Sequence, residues 1–328
     1  LFTKSRRCDD GLQATDGAVA AVRARGLAKS YKGRPAVRGV DLTVAAGETF
    51  GFLGPNGAGK STTMAMLCTM TAPSAGQAWI AGHDVGAHPH QVRRRIGLIF
   101  QDTTLDQSLT AWENLRFHAR LHGISTAVAR ERARELLELV DLDGRSDSPV
   151  RTFSGGMKRR LEIIRGLMHR PRVLFLDEPT VGLDPQARAQ IWEHLRRLRQ
   201  SERITLFLTT HYLDEAEHCD RIAIIDDGRV IAEDTPGGLK SVLGTDRVEL
   251  RSSDDRAAAA QLRETFGLRA EERSGGLSVR VDDGAAFVPR MCANLDVAIE
   301  SVTVVRPSLD EVFFHYTGRG IRESEAGS

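Results

Sequence analysis

The stretch FLGPNGAGKST, from Phe52 to Thr62, places three glycines and one lysine together in a chain that otherwise prefers arginine, with six lysines against 39 arginines. Gly54, Gly59, Lys60 and Ser61 meet the pattern G-x-x-x-x-G-K-[ST]. Glycines let successive backbone N–H groups turn toward one point, and a helix opening near Gly59 adds the positive end of its dipole. The run Gly54, Pro55, Asn56, Gly57, Ala58, Gly59, Lys60, Ser61 and Thr62 is therefore a candidate anion cradle. A compact ammonium reaches between β- and γ-phosphates where a guanidinium fork is too broad, so the expected ligand carries a chain of phosphates. Ser61 is the expected ligand of Mg²⁺ in that pocket.

A phosphate cradle needs acids, and RVLFLDEP supplies them: an apolar run delivers Asp177 and Glu178 to its carboxyl end, where α/β sheets place ligands. Asp177 is expected to hold Mg²⁺ through water, and Glu178 to orient or deprotonate the attacking water. Adjacent acids after a strand also cap helices, a reading that weakens once the cradle is considered. A second anion-facing helix head stands in RTFSGGMKRRLEIIRGLMHRP. There Ser154 is placed to cap a long helix while Gly155 and Gly156 leave its first N–H groups open.

These residues need a scaffold. Thr49–Leu53, RIGLIF, RVLFLD and ITLFLTT are continuous apolar runs of strand length, as in a sheet covered on both faces. Helical patterns such as AQIWEHLRRLRQ alternate with them, which implies a parallel α/β core. The segment before Thr49 predicts a small antiparallel sheet. From about Leu109 to Val140 two amphipathic helices follow one another, the second with a Ser/Thr cap, as an insertion in the core. From about Asp246 the order strand, helix, two strands, helix, strand predicts a small ferredoxin-like domain ending in one more helix.

Composition bounds the partners. With 45 basic and 44 acidic residues the formal charge is +1, so the whole chain gives no electrostatic reason to expect nucleic acid. Cys8, Cys68, Cys219 and Cys292 lack metal-type spacing and are expected to be reduced thiols. No apolar run approaches the roughly 18 to 20 residues that span a bilayer. The opening seventeen residues lack the apolar core of a secretory signal and are expected to be a disordered leader.

SGGMKRR followed by VLFLDEPTVGLDP closely resembles the signature, Walker B and D-loop of ATP-binding cassette (ABC) ATPases, and with GPNGAGKST the resemblance covers roughly residues 20 to 240. It implies the P-loop NTPase ABC cassette: a RecA-like parallel core, an N-terminal antiparallel β subdomain and a helical insertion at about 103–155. The implied division is a leader at 1–20, the cassette at 21–240, an accessory α+β domain at 245–318 and a disordered tail at 319–328. Further residues carry over singly. Tyr31 stands where the family stacks an aromatic on adenine, and Gln101 where a glutamine links Mg²⁺ to the transporter contact. His211 matches the switch histidine at the γ-phosphate, and Asp184 the D-loop acid that works across a dimer interface. Met157 departs from the pattern, because the family's signature usually has glutamine there.

The resemblance implies two copies arranged head to tail around two ATP molecules, with Lys60 and His211 of one copy and Ser154 of the other on each γ-phosphate. It also implies a separate membrane permease, and so a peripheral place on the cytoplasmic face of the membrane. The sequence around the signature and the ending RPSLDEVFFHYTG resemble ATPase subunits of drug exporters of the daunorubicin-resistance type. Two alternatives stay open: an exporter subunit for lipid or glycan, and a soluble ABC ATPase clamping ribosome or nucleic acid. A non-hydrolysing subunit fits poorly with Glu178 and His211 in place. Residues 245–318 carry no acid, histidine or aromatic constellation of their own, so they are expected to regulate or stabilise the dimer.

Overall fold

A computed structural model describes residues 20–244, 246–273, 275–305 and 307–318. The expected leader, apart from Ala20, and the expected tail lie outside the described residues. Strands β1 (Ala20–Tyr31), β2 (Arg34–Ala45) and β3 (Thr49–Leu53) precede helix α1 (Lys60–Leu67). Then come β4 (Ala75–Ile80), β5 (His83–Asp84), α2 (Pro89–Arg95), β6 (Ile96–Ile99), α3 (Ala111–Leu121), α4 (Thr126–Leu139) and α5 (Gly155–Leu167). The core continues through β7 (Val173–Asp177), α6 (Pro185–Glu202), β8 (Thr205–Thr210), α7 (Leu213–Ala216), β9 (Arg221–Asp226), β10 (Arg229–Asp234) and α8 (Pro236–Ser241). Last are β11 (Asp246–Ser252), α9 (Asp255–Phe266), β12 (Glu271–Arg273), β13 (Gly276–Val281), α10 (Gly284–Asn294), β14 (Ile299–Val305) and α11 (Leu309–Thr317).

Three sheets result, ordered β2-β1-β4-β5, β10-β9-β3-β8-β7-β6 and β12-β13-β11-β14. The first is antiparallel, as expected for the segment before Thr49. In the second, β6, β7 and β8 pair in parallel. All of β3 and β8 and four of the five residues of β7 are buried, which is why these segments are apolar throughout instead of alternating. The molecule is an α/β protein with mixed sheets, as expected.

The chain divides into two compact units, one holding the described residues up to Phe50 with Ser61–Thr209, the other Gly51–Lys60 with the described residues from Thr210 onward. In the first unit, Thr110 and Glu113 close a reciprocal capping box at the head of α3. Helix α4 differs from expectation: Ser125 is its N-cap, but its side chain makes no capping hydrogen bond. The third residue of α4 is Val128, which offers no carboxylate to close a box. What holds α4 is its inner face, Ala129, Ala133, Leu136 and Leu137, with Arg132 buried among them. The Arg132 guanidinium grips both carboxylate oxygens of Glu202, at the end of α6, and donates to the Leu167 carbonyl at 3.3 Å.

In the second unit the antiparallel pair β9 and β10 leads into α8, capped by Thr235. The last seven elements then follow the expected β-α-β-β-α-β order and close with α11, whose capping box pairs Ser308 with Glu311. Their sheet is antiparallel, with the first and third strands at its centre. Val248, Leu250, Leu262, Val279, Phe287 and Met291 fill the core beneath it.

The Arg132–Glu202 pair gives an asymmetric prediction. Glu202→Ala leaves the buried guanidinium with only Glu135, at 3.4 Å, as its carboxylate partner and should lower the free energy of urea unfolding by about 3 kcal/mol, whereas replacing both partners, Arg132→Met with Glu202→Leu, should cost far less. Equal losses in the two variants would contradict the assignment.

Candidate functional site

The cradle residues divide by physical role. Gly54 is fixed by contact, since a Cβ there would lie 2.3 Å from the Ile225 carbonyl oxygen. Gly57 and Gly59 are fixed by conformation, with φ of +80° and +106°. Gly54 N–H donates to the Thr210 carbonyl and Gly228 N–H to that of Ala58, which pins both ends of the loop. Asn56 and Gly57 are exposed at its crest. Lys60 is 4% exposed, and its ammonium donates to the carbonyl oxygens of Gly54 at 2.7 Å and Pro55 at 3.1 Å. The loop thus turns the lysine back along its own backbone, and α1 starts at that residue.

Ser61, next in the chain, donates from Oγ to Asp177 Oδ1 at 3.3 Å, and Thr209 Oγ1 donates to the same carboxylate oxygen. This collects a serine hydroxyl, a carboxylate and a threonine hydroxyl, an all-oxygen set that suits a hard cation such as Mg²⁺. Cys68, also in this unit, offers no soft ligand: burial first, and then the charge of Asp177, push its thiol well up and keep it protonated.

Glu178 follows Asp177 with φ of +45°, in the left-handed region, and is 8% exposed. For a residue with a Cβ that conformation costs roughly 1–2 kcal/mol. It is held by two hydrogen bonds from the Glu178 N–H, to the Thr209 carbonyl at 3.1 Å and the Thr209 hydroxyl at 3.2 Å. Strain maintained at a carboxylate beside a polyoxygen cluster marks a position where geometry outweighs local stability.

Helix α5 supplies the third part. Ser154 caps it by accepting from Met157 N–H at 3.3 Å. Neither Gly155 nor Gly156 has positive φ, and a Cβ would come no closer than 3.5 Å and 3.4 Å to a neighbour. Packing within the chain therefore does not demand glycine at either position.

One residue went unnoticed in the sequence. Arg159, 7% exposed, donates from Nε to the Pro179 carbonyl at 2.6 Å and from its terminal nitrogens to the carbonyls of Phe100 at 2.5 Å, Asp177 at 3.1 Å and Glu178 at 3.3 Å. Glu162, one turn on, accepts from Arg159 at 3.2 Å and from Thr104 N–H at 2.6 Å. The guanidinium thus joins α5 to the end of β7 and to Phe100, just before Gln101, and Glu162 holds Thr104 on the other side. The signal lay within SGGMKRRLE, an arginine three residues before a glutamate, but nothing local shows that this arginine points inward.

Comparison with known proteins matches the ABC transporter family model to residues 37–181. The chain is 46% identical over 307 residues, 91% of it and 92% of the relative, to the daunorubicin/doxorubicin resistance ATP-binding protein DrrA of Streptomyces peucetius. It is 36% identical to the linearmycin resistance ATP-binding protein LnrL of Bacillus subtilis, over 92% of this chain and all of that protein. The chain belongs to the ABC transporter ATPase family. Solved relatives agree: cbiO1 of Clostridium perfringens, part of the ABC transporter complex cbiONQ, superposes with a TM-score of 0.64 at 29% identity over 67% of this chain and 90% of its own. The cassette MJ0796, a dimer in a post-hydrolysis state bound to ADP and Pi, gives 0.58 at 29% identity over 65% and 98%. Membership implies ATP binding, with hydrolysis coupled to transport.

The remaining residues drawn from the ABC resemblance are placed as follows. Tyr31 is 49% exposed at the end of β1, with the Lys29 ammonium 5.2 Å from its ring centre. Gln101 is exposed just after Phe100, whose carbonyl Arg159 holds. His211 follows β8 with its ring 4.1 Å from that of Tyr212. Asp184 caps α6 by accepting from Ala187 N–H at 2.9 Å, a structural duty beside any role toward a partner. No helix among the described residues is long and apolar enough to cross a membrane.

Arg159→Met removes the donor shared by four carbonyls and a carboxylate and should cost about 3–5 kcal/mol in urea unfolding. Arg159→Lys keeps the charge without the planar fork and should fall between that variant and the parent. Unchanged stability in Arg159→Met would show that the carbonyls do not depend on it.

Proposed function

We propose that this chain is the ATP-hydrolysing subunit of a drug exporter, working as a head-to-tail pair of copies on the cytoplasmic face of the membrane through a separate integral membrane permease. The observation that carries this reading is the extent of the match to DrrA. Solved cassettes cover about two thirds of the chain, whereas the drug-resistance relatives cover nine tenths of it and so reach past the cassette into the last strands and helices. Residues 21–240 are assigned to the cassette and 245–318 to an accessory domain that regulates or stabilises the pair.

Within each copy, the cradle from Gly54 to Thr62 would wrap the phosphates of ATP, with Lys60 neutralising their charge and Tyr31 stacking on the base. Ser61, Asp177 and Gln101 would hold Mg²⁺, which when bound supplies further charge neutralisation on the phosphates. Glu178, aimed by its left-handed backbone, would orient the attacking water and take its proton, and His211 would contact the γ-phosphate. Ser154, Gly155 and Gly156 of the facing copy would offer open N–H groups to the same phosphate, with Asp184 at the seam. Loss of the γ-phosphate then removes several charge-assisted hydrogen bonds between copies at once, which opens the pair.

Two measurements test this. Glu178→Gln removes the base and should lower Mg²⁺-dependent ATP turnover by about 10²- to 10⁴-fold; turnover equal to that of the parent would defeat the catalytic assignment. For the transport reading, the chain expressed with the membrane protein encoded beside it should co-purify with it. Capture of ribosomes or nucleic acid in its place would favour the soluble clamp.

A further inference from the structure

His118 and His122 lie one turn apart at the end of α3, and His169 follows the end of α5. His169 is distant from the other two in sequence, yet the three rings form a cluster, with centroids 4.9 Å apart for His118 and His122, 5.7 Å for His118 and His169, and 3.8 Å for the stacked His122 and His169. One ring nitrogen of each lies within 4.8 Å of the other two, and this is the one such grouping of metal-ligating side chains found among the described residues. The cluster plays no part in the nucleotide chemistry.

Two of its ring nitrogens are buried without a hydrogen-bond partner. The Ile96 carbonyl, 2.8 Å from His169 Nε2, can only accept, so Nε2 carries the proton and Nδ1 is the bare nitrogen. His169 Nδ1 and His118 Nε2 are both buried without a hydrogen-bond partner. An imidazole that donates one N–H to a backbone carbonyl while pointing its other nitrogen at neighbouring imidazoles has the arrangement that orients a metal ligand.

We propose that His118, His122 and His169 form a three-imidazole site for a zinc-class divalent transition metal, His118 binding through Nε2 and His169 through Nδ1. Three imidazoles with a fourth position left for water suit zinc, whose Zn–N bonds of about 2.0–2.1 Å set ligand nitrogens about 3.3 Å apart around a tetrahedral ion. The ring torsion of His122, at the exposed edge of the cluster, lies in a broad well and lets that ring turn out of the stack to reach the spacing. The neighbouring charges choose the class of ion. Arg165 and Arg94 lie close enough to act on the cluster, while no carboxylate among the described residues does, so hard cations such as Mg²⁺ and Ca²⁺ are disfavoured and an ion with a strong bond to imidazole nitrogen is favoured. A bound ion ties the end of α3 to the segment after α5 and, through Ile96, to the start of β6, making the stability of the helical insertion depend on metal.

The test uses the full chain, freed of metal by chelation and titrated with Co²⁺ and with Zn²⁺ while Mg²⁺ is held in excess. One Co²⁺ per chain should bind with a visible tetrahedral spectrum, Zn²⁺ should displace it and raise the melting temperature, and Mg²⁺ should not compete. His118→Gln with His169→Gln should weaken Co²⁺ binding by about 10-fold or more. His122→Gln, at the less buried ring, keeps the test usable should the double variant fold poorly. The chain has ten histidines, so binding that is absent, or that is equally tight in these variants, would overturn the proposal. Binding lost on excess Mg²⁺ would place the ion at Ser61 and Asp177 and overturn it as well.

Discussion

The arrangement rests on one buried cation. A guanidinium taken out of water is costly unless its donors are satisfied, and Arg159 satisfies them on the carbonyls of Phe100, Asp177, Glu178 and Pro179 together with the Glu162 carboxylate. Its planar fork of five N–H groups is the one side-chain shape that can serve carbonyls arriving from three directions. Because these partners lie at the end of β7 and beside Gln101, the charge fixes the direction in which both segments leave the sheet. Glu178 can then be kept at φ of +45°, a conformation it would not hold alone.

Helix α5 gains a double duty from this. Its head, Ser154 to Gly156, carries glycines that its own packing does not require, while Arg159, little more than one turn further on, donates to the backbone carbonyls of Asp177 and Glu178 in its own chain. In the proposed pair the head would meet the nucleotide of one copy while the same helix positions the carboxylates of the other. A shift of α5 by a fraction of an ångström would be felt at both, since hydrogen bonds of 2.5–3.3 Å weaken steeply with misalignment.

Much of this was legible in the residues. The runs Thr49–Leu53, RVLFLD and ITLFLTT gave their strands because burial on both faces imposes an unbroken apolar pattern, and the glycines of the cradle announced a loop whose φ values only glycine takes readily. The type of Ser154, before two glycines and a long helix, predicts the cap that it makes. What escaped depends on contacts between distant segments. Arg159 looks like any arginine in a basic run, and its inward direction follows only from the placement of β7. Thr209, which bonds both Asp177 and Glu178, sat unremarked in a strand. His118, His122 and His169 are brought together by the packing of α3 on α5. Ser125 is the N-cap that its residue type suggests, but its side chain makes no capping bond.

The central claim is that each nucleotide is served by the cradle of one copy and the α5 head of the other. The most direct measurement is ATP turnover on mixing two inactive chains, Lys60→Ala and Gly155→Asp. The first lacks a working cradle but keeps its helix head, and the second keeps its cradle but sets a carboxylate against the phosphate at a position with room for a Cβ. The account predicts that the mixture regains up to about a quarter of parent turnover, from mixed pairs holding one intact composite pocket. A mixture no more active than its two components, or a Gly155→Asp chain that hydrolyses ATP at full rate by itself, would contradict it.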